Sequence, residues 1–310
     1  TLGELLSVSY IIGQMNSPVN QLISFFRSLQ DAKLSLERLN EVQNHATEEQ
    51  EGQIRMPLYS NFTETAGIHL KNVYFQYESV TSPYILKNLN LFIPQGKVTA
   101  IVGASGSGKT TLMKMLLKFY KPTQGDIFFN SVNVKDISPK SLRENCGVVM
   151  QDGFIFSDTI KRNIVTGDEN VREEKLQSAI CISNIEGFIE SLPLKYNTKI
   201  GASGNGISGG QKQRILIARA VYKDPHYLFF DEATSALDAE NEKKIHDHLQ
   251  AFFKGKTVLI IAHRLSTVKN ADQIIVLKNG EIVETGGHEG LVKNRGDYFD
   301  LVKNQLELGN

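Results

Sequence analysis

A chain of 310 residues, 41% of them hydrophobic, has ample material for one large domain or two smaller ones. Its 34 Lys and Arg balance 34 Asp and Glu, so no net field recruits nucleic acid or an anionic membrane surface. Two cysteines, Cys146 and Cys181, lie far apart and outside metal-ligand spacing, which argues against a disulfide framework or a zinc site; both are expected as small buried hydrophobes in a reducing compartment.

At the N-terminus no basic segment runs into a compact apolar core, so a cleavable signal is not expected. From Leu5 to Phe26 there is no charged residue, yet Ser7, Ser9, Gln14, Asn16, Ser17, Asn20 and Gln21 dilute the stretch and Pro18 interrupts it. A self-sufficient membrane span needs about 20 predominantly apolar residues, so this stretch reads at most as the tail of one. From Val19 to Val42 apolar residues recur at Leu22, Phe25, Phe26, Leu29, Ala32, Leu36 and Leu39, a helical spacing. Asn44 to Gly67 is polar and aperiodic, a linker with a domain boundary near Ala66.

Ile68 to Tyr77 reads as a strand, and Leu89 to Ile93 alternates cleanly before Pro94-Gln95-Gly96. Lys97 to Tyr120 then runs from a β-branched strand into a glycine-rich turn at Gly103 and on to an amphipathic helix carrying Leu112, Met115, Leu116 and Phe119. Gly125 to Ile137 is further strand-like material, Ser138-Pro139 is a capped helix start, and Gly147 to Met150 is a short buried strand ending at Gln151. Ser157 to Tyr222 is mostly helical and reads as an inserted lobe. A strand returns at Tyr227 to Phe230, a helix follows over Ala239 to Phe253, and another buried strand spans Thr257 to Ala262. Asn279-Gly280 between apolar runs predicts a hairpin over Ile274 to Val283, and the chain is helical again from Glu289. Strands alternating with helices around a glycine-rich loop predict a parallel, doubly covered α/β core.

Gly103, Gly108, Lys109 and Thr110 satisfy G-x-x-x-x-G-K-S/T. Glycines there let backbone N–H groups curl round phosphate oxygens at a positive helix end; the lysine reaches the β- and γ-phosphates, and the threonine hydroxyl suits Mg²⁺. Tyr227-Leu228-Phe229-Phe230 delivers Asp231 and Glu232 at a strand end, placing one carboxylate for Mg²⁺ and the next as a base or water-positioner. Ser208-Gly209-Gly210-Gln211 opens a helix with a good N-cap and two glycines, a second place open to an anion.

In this combination the chain resembles the nucleotide-binding domain of an ATP-binding cassette (ABC) transporter of the exporter type. Gly103 to Thr110 matches the Walker A motif, Phe229 to Glu232 the Walker B, Ser208 to Gln211 the signature, and Ser235-Ala236-Leu237-Asp238 the D-loop. Gln151 matches the Q-loop glutamine, His263 the switch histidine, and Tyr77 the aromatic that stacks on adenine. The resemblance implies a P-loop NTPase core with a parallel sheet, an antiparallel β subdomain and an inserted helical subdomain at about 157–222. It also implies ATP held by Tyr77, Gly103, Ser105, Gly106, Ser107, Gly108, Lys109, Thr110 and Thr111, with Ser208, Gly209, Gly210, Gln211 and Asp238 closing from a second copy in a head-to-tail homodimer. Mg²⁺ falls to Thr110, Gln151 and Asp231, and catalysis to Glu232, His263, Lys109 and Gln151. His246 and His248 are expected on the surface.

Residues 1–43 are similar to the end of an exporter's last transmembrane segment and its descending helix, with Gln30, Ala32, Ser35 and Arg38 matching loosely; 44–66 is then the linker and 67–310 the nucleotide-binding domain. That implies an upstream membrane domain and a place on the cytoplasmic face of the inner membrane. One departure stands in the segment before the signature, where exporters usually carry a glutamate and this chain has Ala202. Ile207 and the tail resemble bacterial peptide and bacteriocin exporters with an N-terminal peptidase; lipid or drug export, or a soluble cassette ATPase, are the alternatives.

Overall fold

The computed structural model describes residues 2–44, 47–55, 65–77, 82–201, 206–231, 239–262 and 265–308. The chain forms two compact units, residues 1–50 and 51–310.

The first unit is helix α1 (Leu2–Gln43). It runs unbroken through Pro18, which the sequence reading treats as an interruption. A proline inside a helix removes one i→i−4 bond and crowds one carbonyl, and a helix this long tolerates that single loss. Its apolar side chains, including Ile11, Ile12, Phe25 and Phe26, are exposed. Among the described residues no helix is long and apolar enough to cross a membrane.

The second unit contains, in order, β1 (Gly67–Phe75), β2 (Leu86–Pro94), β3 (Val98–Val102), α2 (Lys109–Leu116), β4 (Gln124–Phe129), β5 (Val132–Asn133), α3 (Pro139–Glu144), β6 (Cys146–Val149), α4 (Ile160–Ile164), α5 (Glu173–Ile182) and α6 (Glu186–Glu190). After these come α7 (Gly209–Tyr222), β7 (Tyr227–Asp231), α8 (Ala239–Phe253), β8 (Thr257–Ile261), α9 (Leu265–Lys269), β9 (Gln273–Lys278), β10 (Glu281–Gly286), α10 (His288–Asn294) and α11 (Asp297–Leu308). Residues 51–55 already belong to this unit, inside the stretch expected as linker. Ile54 bridges to Ile137, its N–H donating to the Asp136 carbonyl at 2.7 Å while Ser138 N–H donates to Ile54 O at 3.1 Å.

The central sheet has the order β10-β9-β3-β8-β7-β6. Every neighbouring pair is parallel except β9 with β10, which the Asn279-Gly280 turn joins as an antiparallel hairpin; both turn residues have positive φ, as the tight turn requires. β7 and β8 are buried at every position, the signature of strands covered on both faces. Alternate residues face opposite cores: Leu228 and Phe230 join a cluster with residues of α5 and α7, while Tyr227 and Phe229 join one with residues of α2 and the antiparallel strands. Those strands form a second sheet, β2-β1-β4-β5.

Two expectations change here. Strand character stops at Asn133, whose side chain accepts from Lys135 N–H and caps a 3-10 turn over Val134–Asp136. Cys146 is buried as expected, its thiol pushed up to about 12 by desolvation, but Cys181 is exposed. α5 turns Leu176, Ala179 and Ile180 inward, and Cys181 falls outside that face.

Candidate functional site

Because β3, β8, β7 and β6 are parallel neighbours, the loops leaving them emerge on one edge of the sheet. Register sharpens this: Asp231 stands level with Ile261, and Ile261 with Ile101, so the acid lies at the same height as the end of the strand that enters the glycine-rich loop, with β8 between them. Thr110 Oγ1 donates to Asp231 Oδ2 at 2.9 Å, joining the loop to β7 across the intervening strand. Asp231 is 1% exposed, so a carboxylate has been drawn into the sheet edge beside a hydroxyl.

The loop itself is built by backbone constraint. Gly103 has φ 153°, and a Cβ there would lie 2.1 Å from the Leu277 carbonyl on β9. Ala104, Ser105 and Gly106 are exposed at the crest, while Ser107 is buried with its Oγ making no hydrogen bond to the described residues. Behind the loop α2 starts at Gly108 with no side-chain cap, leaving its first N–H groups to an external acceptor. Lys109 is 6% exposed and donates to the Gly103 and Ala104 carbonyls, each at 2.9 Å, so the ammonium sits inside the loop it opens onto. Tyr77, just past β1, is brought to α2, where its hydroxyl shares a 2.9 Å hydrogen bond with Thr111.

Gln151 opens the segment after β6 and is exposed. α7 begins with a capping box: Ser208 Oγ accepts from Gln211 N–H at 3.2 Å, and Gln211 Oε1 accepts from Ser208 N–H at 2.8 Å. The amides of Gly209 and Gly210 lie outside that box. Glu232, Asp238 and His263, together with Ala202, lie outside the described residues. His248 is exposed and His246 half-buried.

The sequence reading missed a network behind Gln151. Asn163 on α4 is fully buried; its amide donates to Phe156 O and Thr159 O, and its Oδ1 accepts from Phe156 N–H. Arg219 on α7 reaches across, donating to Asn163 O at 2.8 Å, Phe154 O at 2.9 Å and Asn163 Oδ1 at 3.2 Å. Burial pushes its guanidinium pKa down from the usual arginine value. Fifty-six residues separate the partners, and no local pattern announces the contact. Arg219→Met is expected to destabilise the fold by about 2–3 kcal/mol, since it removes charge-assisted bonds and leaves carbonyls short of donors. Urea unfolding should show a lower midpoint with an unchanged slope.

Backbone donors, a buried lysine and a buried acid thus converge at the carboxyl edge of a parallel sheet, the place where α/β folds bind phosphate-bearing ligands. The class is that of the phosphate-loop nucleotide-binding proteins. The comparisons narrow it: the ABC transporter family model matches residues 86–235. The chain is 41% identical over 308 residues to the leukotoxin translocation ATP-binding protein LktB of Mannheimia haemolytica, and 42% identical over 309 residues to that of Bibersteinia trehalosi; each match covers 99% of this chain and 42% of the relative. A solved bacterial Atm1-family ABC exporter with ATP bound superposes with TM-score 0.80 at 32% identity, over 98% of this chain and 53% of that one. The chain carries an ABC transporter ATP-binding domain. It spans about two fifths of the length of the curated relatives it matches.

The tight fit at the first loop glycine yields a direct expectation. Gly103→Ala would drive a methyl into the Leu277 carbonyl at a φ that L-residues rarely adopt, so the loop must shift. Loss of about 2–4 kcal/mol of stability is expected, together with loss of ATP binding, read by thermal melting and calorimetry.

Proposed function

We propose that the chain is the ATP-hydrolysing part of an exporter, working as a head-to-tail pair on the cytoplasmic face of the inner membrane. The observation that carries this reading is the 2.9 Å bond from Thr110 to the buried Asp231, which sets a hydroxyl and a carboxylate side by side next to a helix start without a side-chain cap. Those donors suit a hard cation, and Thr110, Asp231 and Gln151 would hold Mg²⁺. An ion held there takes only a few protein ligands and would complete its shell with phosphate oxygens and water. When bound, Mg²⁺ neutralises charge on the β- and γ-phosphate oxygens.

In this reading Lys109 and the amides of Ser105 to Thr111 grip the phosphates and Tyr77 stacks on adenine. Glu232 polarises the attacking water and His263 supports the γ-phosphate as charge develops. Ser208, Gly209, Gly210, Gln211 and Asp238 of one copy close over the nucleotide held by the other, so ATP joins the two and hydrolysis parts them.

Residues 1–43 then belong to the end of a membrane domain and 67–310 to the nucleotide-binding domain, with 44–66 as a linker whose residues 51–55 are already drawn into the second unit. Two observations support this: the relatives are more than twice as long as the matched region, and α1 presents apolar side chains along its length. Those relatives are described as leukotoxin translocation ATP-binding proteins, which supports export, and a peptide or bacteriocin is the cargo we favour over a lipid or drug. The test is light scattering on the chain carrying Glu232→Gln. Mass should double with Mg²⁺-ATP and stay single with ADP; a monomer in both would overturn the head-to-tail reading.

A further inference from the structure

The base site contains an aromatic residue that neither motif matching nor the roles above account for. Tyr120 follows α2 and packs on the core beside Phe75. Its ring lies 5.3 Å from that of Phe75 and 5.3 Å from that of Tyr77, meeting the latter at 89°. Phe75 in turn meets Tyr77 at 4.9 Å and 84°. The three rings close a triangle, and the Tyr77 hydroxyl is tied separately to Thr111. Tyr77 is therefore held at both ends: the two neighbours set the plane of its ring, and the hydroxyl bond sets rotation within that plane. Neither neighbour is stacked parallel on it, and 38% of the residue remains exposed.

We propose that Tyr120 is a positioning residue for the nucleotide base: it acts through Tyr77, fixing that ring at the angle a purine needs for stacking, and so sets base selectivity. The inference rests on the reading of Tyr77 as the base platform. Phe75 is 5% exposed and belongs to the core, so it is committed to packing whether or not nucleotide binds. Half-buried Tyr120 is the less enclosed of the two neighbours and is carried on the same segment as the phosphate loop and α2. An aromatic contact of this kind contributes about 0.5–1.5 kcal/mol beyond area burial. Losing it would let Tyr77 swing, at the expense of stacking and not of phosphate contacts.

The experiment compares kcat and KM for ATP and for CTP, whose smaller base stacks less. Tyr120→Leu should raise KM for ATP by about threefold to tenfold with kcat unchanged, and lower the preference for ATP over CTP by a similar factor. Tyr120→Phe, which keeps the ring, should restore both. If the leucine variant fails to fold, Tyr120→Met, unbranched and better able to fill an irregular gap, poses the same question. Equal rises for both nucleotides, or none for either, would overturn the proposal. Tyr77→Ala separates the two claims. If it leaves KM for ATP unchanged, the platform reading itself fails; if it raises KM while the Tyr120 variants do nothing, only the positioning role falls.

Discussion

Glu232→Gln is expected to slow phosphate release from ATP by about 10²–10⁴-fold while leaving nucleotide affinity within a factor of two. The size follows from what a positioned general base contributes, and the selectivity from what the substitution spares. Glutamine keeps the length and an acceptor oxygen but cannot take a proton. The phosphate grip, in contrast, is assembled elsewhere: on Lys109, on the start of α2, and on the Thr110 to Asp231 contact. β7 is buried at all five positions and paired on both sides, by β8 and β6, so the strand delivering Asp231 to the edge has little freedom to shift when its successor changes. Single-turnover phosphate release and calorimetric binding on the same preparation read the two effects apart. Release at the unsubstituted rate would remove Glu232 from the chemical step and leave the water without its proposed partner.

Elements governed by a local period are legible in the sequence alone. The strand, loop and helix around Gly103, the buried strands at Tyr227 and Thr257 and the hairpin at Asn279-Gly280 each carry their own signal in a dozen residues or fewer, and each stands where that signal puts it. The Ser208 cap is likewise a matter of four consecutive residues. What could not be read depends on residues far apart in the chain. Arg219 and Asn163 meet only because α7 packs on α4, and neither side chain looks unusual in its own stretch. Ile54 sits in a polar, aperiodic segment, and its pairing with Ile137 is visible only once both ends are placed. Cys181 shows the opposite failure, since a residue type that is usually buried is turned outward by the phase of its own helix. Tyr120 falls between: an aromatic after an amphipathic helix reads as core, and the triangle that gives it a second use exists only in three dimensions.

Lys109→Ala is the second large effect, and it separates binding from folding. The ammonium donates to the carbonyls of Gly103 and Ala104 at 2.9 Å each and is almost wholly enclosed, so it waits on the loop backbone at the place where a phosphate oxygen would compete for it. Charge-assisted hydrogen bonds contribute about 1.5–3 kcal/mol apiece, and two of them to the β- and γ-phosphates amount to about 10²–10⁴-fold in ATP affinity. Folding should suffer little. Ala104 is exposed and Gly103 half-buried, so their carbonyls can turn to water once the lysine is gone, and α2 keeps its packing through Leu112, Met113, Met115 and Leu116. Lys109→Arg should not rescue binding despite keeping the charge, because a planar guanidinium needs more width than a slot that leaves the lysine 6% exposed. Calorimetry with ATP, alongside thermal melting of each variant, tests both halves. Unchanged ATP affinity in Lys109→Ala would mean that this loop does not hold the phosphates, and a large fall in melting temperature would mean that its lysine serves the fold before it serves the ligand.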